Sequence, residues 1–296
     1  MHRRSMRLGL LTVLGLARRG FFIPYRYADT LPFPGRNPTY PPLTELMAAA
    51  EPTFAALLRD IDTFEDALAV MADEPPPSPR LAQDWFPTLD ATAAYALVRT
   101  LAPKRIIEVG SGHSTRFMKR AVDDGGLDTH IIAIDPQPRR YVDRLDIEFI
   151  KSTLNGVDLD IFSDLAAGDI LFIDSSHILM PGSDVDDLFN RVIPTLPSGT
   201  LIHIHDIFLP DDYPMIWDWR GYNEQQGVAP MLSSGGFEVL FASNYVATRM
   251  AAAVAANRSS TERVWMNTLV PPSAMSAVGA LISTNGSGDG WWARMP

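Results

Sequence analysis

From residue 105 onward, short apolar runs rich in β-branched residues alternate with stretches of helical periodicity. The runs at 105–109, 131–135, 147–151, 169–174, 200–205 and 237–242 predict strands. The stretches at 114–122, 184–193 and 222–233 space their apolar positions as helices do. Near-continuous apolar strands separated by helices imply a parallel sheet covered on both faces, hence an α/β fold. Upstream, Leu43, Leu46, Phe54, Leu57, Leu58, Ile61, Leu68 and Met71 predict helix over 43–73, broken near Pro52. A second helical pattern runs from Asp90 through Leu101 and stops at Pro103. Between the two lies Glu74-Pro-Pro-Pro-Ser-Pro79, a stiff linker. It divides an N-terminal helical and extended segment (1–80) from a main domain (81–296). Past the sixth strand, 247–256 is Ala-rich and helical, 286–290 reads as a turn, and 291–294 as a last strand.

The 296 residues carry a formal charge of −10, unevenly placed. The first 28 hold six Arg and no acid, so the rest of the chain carries 19 basic against 35 acidic residues. An acidic body excludes a broad nucleic-acid surface, which needs a basic stripe. Cysteine is absent, which excludes disulfides and thiolate metal sites. Leu8 to Ala17 is an apolar run of ten residues bounded by Arg18-Arg19, too short to span a bilayer. Leu10, Val13, Leu14 and Ala17 share a helical face, which predicts an amphipathic basic helix that docks on the protein, a partner or a membrane surface. The alternative is an export signal, which lacks a small-x-small cleavage site here. A cytoplasmic location is expected.

The chemistry concentrates at predicted strand ends. Ile106, Ile107 and Val109 lead into Gly110-Ser111-Gly112, with Ser114 and Thr115 placed to cap a helix. Such a turn brings bare backbone against a ligand. The third glycine of a dinucleotide fingerprint is replaced by Thr115, and no P-loop lysine follows. The next strand ends at Asp135-Pro136, where a carboxylate either accepts from a ribose diol or merely starts a turn. The strand at 169–174 ends in Asp174, with His177 three residues on as a titrating group or a backbone-bonded loop histidine. His203 and His205 share one face of the following strand, with Asp206 on the other unless the chain turns there. Asp174, His205 and Asp206 make a mixed oxygen/nitrogen divalent site, while His203 reads as a core histidine satisfied by backbone. Beyond them, Pro210 to Pro214 with Trp217, Trp219 and Tyr222 forms an aromatic loop, either a substrate lid or packing for the N-terminal extension.

Glu108-Val-Gly-Ser-Gly-His-Ser-Thr115, Phe172-Ile-Asp-Ser-Ser-His177, His203-Ile-His-Asp-Ile-Phe208 and Tyr222-Asn-Glu224 together resemble class I S-adenosylmethionine-dependent methyltransferases. The nearest subgroup is the bacterial set called methyltransferase family 24, whose leader the stretch from Gly20 to Ala28 also resembles. The resemblance implies a Rossmann-like, doubly wound sheet of seven strands, mostly parallel, with an antiparallel last strand and an N-terminal helical extension. It implies cofactor contacts from Glu108, Gly110, Ser111, Gly112, His113 and Asp174, with Asp135 on the ribose and Ser152 or Thr153 near the adenine. By analogy with catechol-type enzymes, Asp174, His205 and Asp206 would hold a divalent metal. His177 stands where those enzymes carry a catalytic Lys. A histidine-containing set suits Mn, Fe or Zn better than Mg.

The leading expectation is therefore methyl transfer from S-adenosylmethionine to oxygen on a small-molecule or natural-product-type acceptor, metal-assisted, with His177, Asp174 and His205 catalytic. A homo-oligomer is compatible with this reading. A metal-dependent hydrolase using His203, His205 and Asp206 is the main alternative, though hydrolysis has no use for a glycine cradle. A noncatalytic interaction protein that keeps the cofactor fold is the third.

Overall fold

The computed structural model describes residues 3–33, 35–81, 83, 85–138, 141–256 and 280–284. The turn and strand expected at 286–294 lie outside the described residues.

The chain opens with α1 (Arg3–Val13), then runs extended to α2 (Pro41–Ala49), which starts on a proline whose missing N–H is no loss at a first turn. The break expected near Pro52 is a helix boundary: α3 (Glu51–Asp62) carries that proline at its second position. α3 buries Phe54, Leu57, Leu58 and Ile61, one face at helical spacing, and α4 (Glu65–Asp73) follows with Leu68 and Met71 buried. After the proline-rich linker, α5 (Thr88–Leu101) ends at Ala102, whose φ of 46° turns the chain before Pro103.

The sheet begins with β1 (Arg105–Val109), followed by α6 (His113–Gly125), β2 (His130–Ile134), β3 (Glu148–Ile150) and β4 (Ile170–Ile173). A short α7 (Asp184–Asp187) continues as one widened turn over Leu188–Val192 before β5 (Leu201–Ile204). Then come α8 (Gln225–Ser233), β6 (Phe237–Ala242), α9 (Ser243–Arg249), α10 (Ala251–Ala256) and β7 (Ala280–Thr284). β3, β2, β1, β4 and β5 pair parallel in that order, and β7 and β6 extend the sheet with antiparallel pairing. The α/β reading of the apolar runs is met by these five parallel strands. Their burial explains the runs: β4 and β5 are buried at every position, so neither face has room for alternating polar residues.

One contiguous core extends from Leu43 and Phe54 through Ile107, Leu171 and Ile202 to Val246. Helices α2, α3 and α4, before the linker, are thus part of the same core. Phe54, for example, packs edge-on against Phe241 at 5.9 Å. Register places the site. Val109 pairs with both Ile134 and Ile173, and Ile173 pairs with Ile204, so β1, β2, β4 and β5 end at one level. Strand order reverses between β2 and β4 across β1. In open α/β sheets that reversal opens a crevice beyond the strands' carboxyl ends.

Candidate active site

A cavity of about 690 Å³ occupies this crevice, and Gly110, Asp135, Asp174 and Asp206 all line it. The ladder carries each of them past its strand end: Gly110 N donates to Ile134 O at 2.9 Å, Asp174 N to Val109 O at 2.8 Å and His205 N to Ile173 O at 2.8 Å. Gly110 has φ +88°, and a Cβ there would stand 1.9 Å from the Asp174 carbonyl oxygen. Glycine is required at this position because two adjacent strand ends touch there.

Ser111 donates from both N (2.8 Å) and Oγ (3.0 Å) to one Asp135 oxygen, and the other accepts from Gln137 N at 2.6 Å. Asp135 therefore starts a turn and also faces the cavity, so the two readings of this residue describe one geometry. The helix cap differs from expectation. α6 begins at His113 behind Gly112, and Thr115 reaches back to accept from Gly112 N at 2.9 Å. Ser114 does not cap but donates to Glu108. Glu108 is fully buried behind the turn rather than on the cavity wall, and its second carboxyl oxygen has no partner. Burial, opposed by Ser114 and Thr115 and reinforced by Asp174 and Asp135, pushes its carboxyl up to about 8. His113 and Thr153 line the cavity. Ser152 does not, since its hydroxyl turns back to the Thr153 carbonyl at 2.9 Å.

The metal set expected from sequence is Asp174, His205 and Asp206, and the structure brings together a different trio. The ligand atoms that converge within 4.8 Å of one another belong to Asp174, His177 and Asp206. His177 Nε2 lies 3.3 Å from both Asp174 Oδ1 and Asp206 Oδ2, while its Nδ1 meets Glu224 Oε2 at 2.9 Å. His177 and Asp206 both adopt left-handed backbone, at φ 60° and 59°. That conformation is costly for residues other than glycine and swings both side chains inward. The turn at Asp206 is the condition under which it would leave the strand's alternation. His205 lines the cavity, but its Nε2 faces the Trp85 carbonyl at 3.2 Å and the other Asp206 oxygen at 3.3 Å.

His203 is a core residue, stacked on Phe172 with centroids 4.1 Å apart. Burial first, then the neighbouring His205, pushes its imidazole down to about 3, so it is neutral. The backbone partner expected for it is not there: its Nε2 has none. His203 does not line the cavity, so the His203, His205 and Asp206 set of the hydrolase alternative is not presented to it.

Burial lowers the pKa of His177, but its bonds to Asp174 and Glu224 and the charges of Glu224 and Asp206 outweigh that and raise it well above the ordinary value. Glu224, wholly buried, is raised by burial despite its imidazole partner. Sequence reasoning quoted Glu224 within a motif and gave it no role. An acid at a helix start normally reads as solvated, and the one available signal was its position straight after an aromatic cluster. Its neighbour Asn223 accepts from Leu179 N at 2.8 Å and donates to Leu179 O at 3.1 Å, stapling the loop that carries His177. Trp217, Arg220 and Tyr222 line the cavity, while Asp211 and Asp212 bind Thr39, Gly35 and Asn37 of the N-terminal extension.

A glycine turn, a strand-end acid beside it and an acidic cluster one strand further on share this one cavity. Residues 107–207, about a third of the chain, match the family model described as a methyltransferase domain, that of methyltransferase family 24. No curated protein matches the chain. Among solved structures, it is similar to the S-adenosylhomocysteine-bound methyltransferase PaMTH1 of Podospora anserina (14% identity, 90% of this chain and 100% of that one, TM-score 0.42). It is also similar to the O-methyltransferase TomG of Streptomyces achromogenes (15% identity, 75% and 89% covered, TM-score 0.39). A third similar structure is a Mg-SAM complex of cmcI (18% identity, TM-score 0.34), of which the match spans 63%, less than two thirds.

Proposed function

We propose that the protein transfers a methyl group from S-adenosylmethionine to an oxygen of a small, natural-product-type acceptor, assisted by a divalent metal. The observation that carries this reading is a single cavity lined by the Gly110 turn, Asp135, Asp174, His177 and Asp206. The turn fits the cofactor: a Cβ on Gly112 would meet nothing within 4 Å, so bare backbone faces open space. Asp135 keeps lone pairs for a ribose diol after its bonds to Ser111 and Gln137. Thr153, rather than Ser152, would flank the adenine. The seven-stranded sheet with an antiparallel last strand, and the assignment of 81–296 as the transfer domain, belong to this same reading.

The donor set of Asp174, His177 and Asp206 fits a divalent ion, two carboxylates and one imidazole suiting Mn, Fe or Zn. Such an ion, when bound, lowers the pKa of an acceptor hydroxyl and orients it. Glu224 holds Nδ1 of His177, which leaves Nε2 pointing between the two carboxylates. That one nitrogen either ligates or holds a proton. The proton-accepting role expected of His177 therefore applies only where no ion displaces its proton. His205 supports Asp206 from behind.

The N-terminal leader adds a location. Leu10, Val13, Leu14, Leu16, Phe22 and Ile23 are all exposed beside a set of arginines with no acid among them. Charge complementarity supports peripheral contact with an anionic membrane surface. Among the described residues, no helix is long and apolar enough to cross a membrane.

Calorimetric titration with S-adenosylhomocysteine and with Mn²⁺ tests the assignment. The wild type should bind both, and Asp174→Asn should lose Mn²⁺ while keeping the nucleoside. A wild type that binds neither would overturn the proposal.

A further inference from the structure

Among the described residues lining the cavity, Arg220 is the only Arg or Lys, set against Asp135, Asp174, Asp184 and Asp206. In a chain with ten more acids than bases it still has no carboxylate partner among the described residues. Aromatic rings hold it instead. Its guanidinium carbon lies 4.0 Å from the centroid of Trp217, 5.2 Å from Trp219 and 5.3 Å from Tyr222. Its Nη1 donates to the Tyr222 hydroxyl at 3.0 Å, and its buried Nε has no partner. A guanidinium fixed by stacking keeps its planar donor fork available, and that fork matches carboxylate and phosphate oxygens in pairs. The same Tyr222 ring lies 4.5 Å from the His177 imidazole. Tyr222 therefore touches both Arg220 and the histidine of the Asp174–His177–Asp206 cluster.

We infer that Arg220 selects the acceptor: an anionic group, carboxylate or phosphate, borne on the acceptor apart from the oxygen that is methylated. This rests on the methyl-transfer reading, which supplies the second end of the acceptor. The flanking Trp217 and Tyr222 rings favour a flat skeleton between the two ends, so an aromatic hydroxy acid is the simplest acceptor class. Capping of the aromatic cluster is the competing role for Arg220, and it predicts no preference for an anion.

The probes are 3,4-dihydroxybenzoate and its neutral counterpart 3,4-dihydroxybenzyl alcohol, titrated into the protein with and without S-adenosylhomocysteine and read by tryptophan fluorescence. Phenyl phosphate and phenol form a second pair that separates phosphate from carboxylate recognition. Wild type should bind one anion of these pairs at least about tenfold more tightly than its neutral partner, as a charge-assisted bidentate contact provides. Arg220→Met should erase that preference with S-adenosylhomocysteine affinity unchanged, and Arg220→Lys, which keeps charge but not the fork, should retain part of it. Equal binding of anion and neutral probe by wild type would overturn the inference, as would a preference that survives in Arg220→Met. Loss of S-adenosylhomocysteine binding in Arg220→Met would also overturn it, since Arg220 would then serve the cofactor's own carboxylate. Failure of wild type to bind S-adenosylhomocysteine strikes the methyl-transfer reading instead, and the cofactor-free titrations still decide the anion preference.

Discussion

Replacing Gly110 by Ala tests whether the strand ends meet as described. The added Cβ would lie 1.9 Å from the Asp174 carbonyl oxygen and 2.7 Å from its carbonyl carbon, both backbone atoms that no side-chain rotation can relieve. Holding φ at +88° costs an L-residue roughly 1–2 kcal/mol. Overpacking against fixed neighbours adds about 1–3 kcal/mol. Relief requires β1 and β4 to part at their ends, which strains the Asp174 N to Val109 O bond, a net contribution of about 1 kcal/mol. The expected loss is about 3–6 kcal/mol, a large part of a domain's ordinary margin. Urea unfolding followed by tryptophan fluorescence should show a lower midpoint at unchanged slope. Gly112→Ala is the control. Its Cβ would enter open space, and its φ of 172° is ordinary extended backbone, so stability should change by less than about 1 kcal/mol while S-adenosylhomocysteine affinity falls. If Gly110→Ala unfolds at the wild-type midpoint, the close approach of β1 to Asp174 is not real and the shared rim is lost with it.

Three further outcomes are expected. Glu224→Gln should weaken Mn²⁺ binding about 10–100-fold by loosening His177, as outer-sphere partners of ligating histidines do, and unchanged Mn²⁺ affinity by calorimetry would remove Glu224 from that role. His203 is held near 3 in the folded state against 6.5 ordinarily, so the unfolded chain takes up a proton that the folded one refuses as pH falls through that window. Stability should therefore drop from pH 6.5 toward 4, and His203→Phe, stacked on Phe172, should flatten that pH dependence; an equal fall of the urea midpoint with pH in both proteins would count against it. The leader should carry the protein into the pellet with phosphatidylglycerol vesicles but not with phosphatidylcholine ones, and Leu10→Glu/Leu14→Glu should leave it in the supernatant. Equal sedimentation of wild type and variant would exclude the leader as the contact.

The strand runs and the places where they stop were determined by the sequence. A parallel strand buried on both faces admits no charge until it ends, so Asp135, Asp174 and Asp206 mark three strand ends without any coordinates. Gly110 stood out for a related reason, since an apolar strand feeding into Gly-x-Gly has few other uses. Even the parting of 41–49 from 51–62 was visible in Pro52. What tertiary structure decided was which neighbouring polar group faces the cavity. His177 and His205 are equally plausible partners for Asp174 when only spacing is known. Two left-handed residues, His177 and Asp206, turn the first into the cluster, and the Trp85 carbonyl draws Nε2 of the second away. Likewise Glu224 and Arg220 lie in a polar, aromatic stretch that any loop might contain. Their burial, one behind an imidazole and one among three rings, is set by contacts between segments that local pattern does not encode. Periodicity reports how each segment meets solvent or core, and side-chain convergence depends on turns whose backbone angles are fixed only once the sheet has closed.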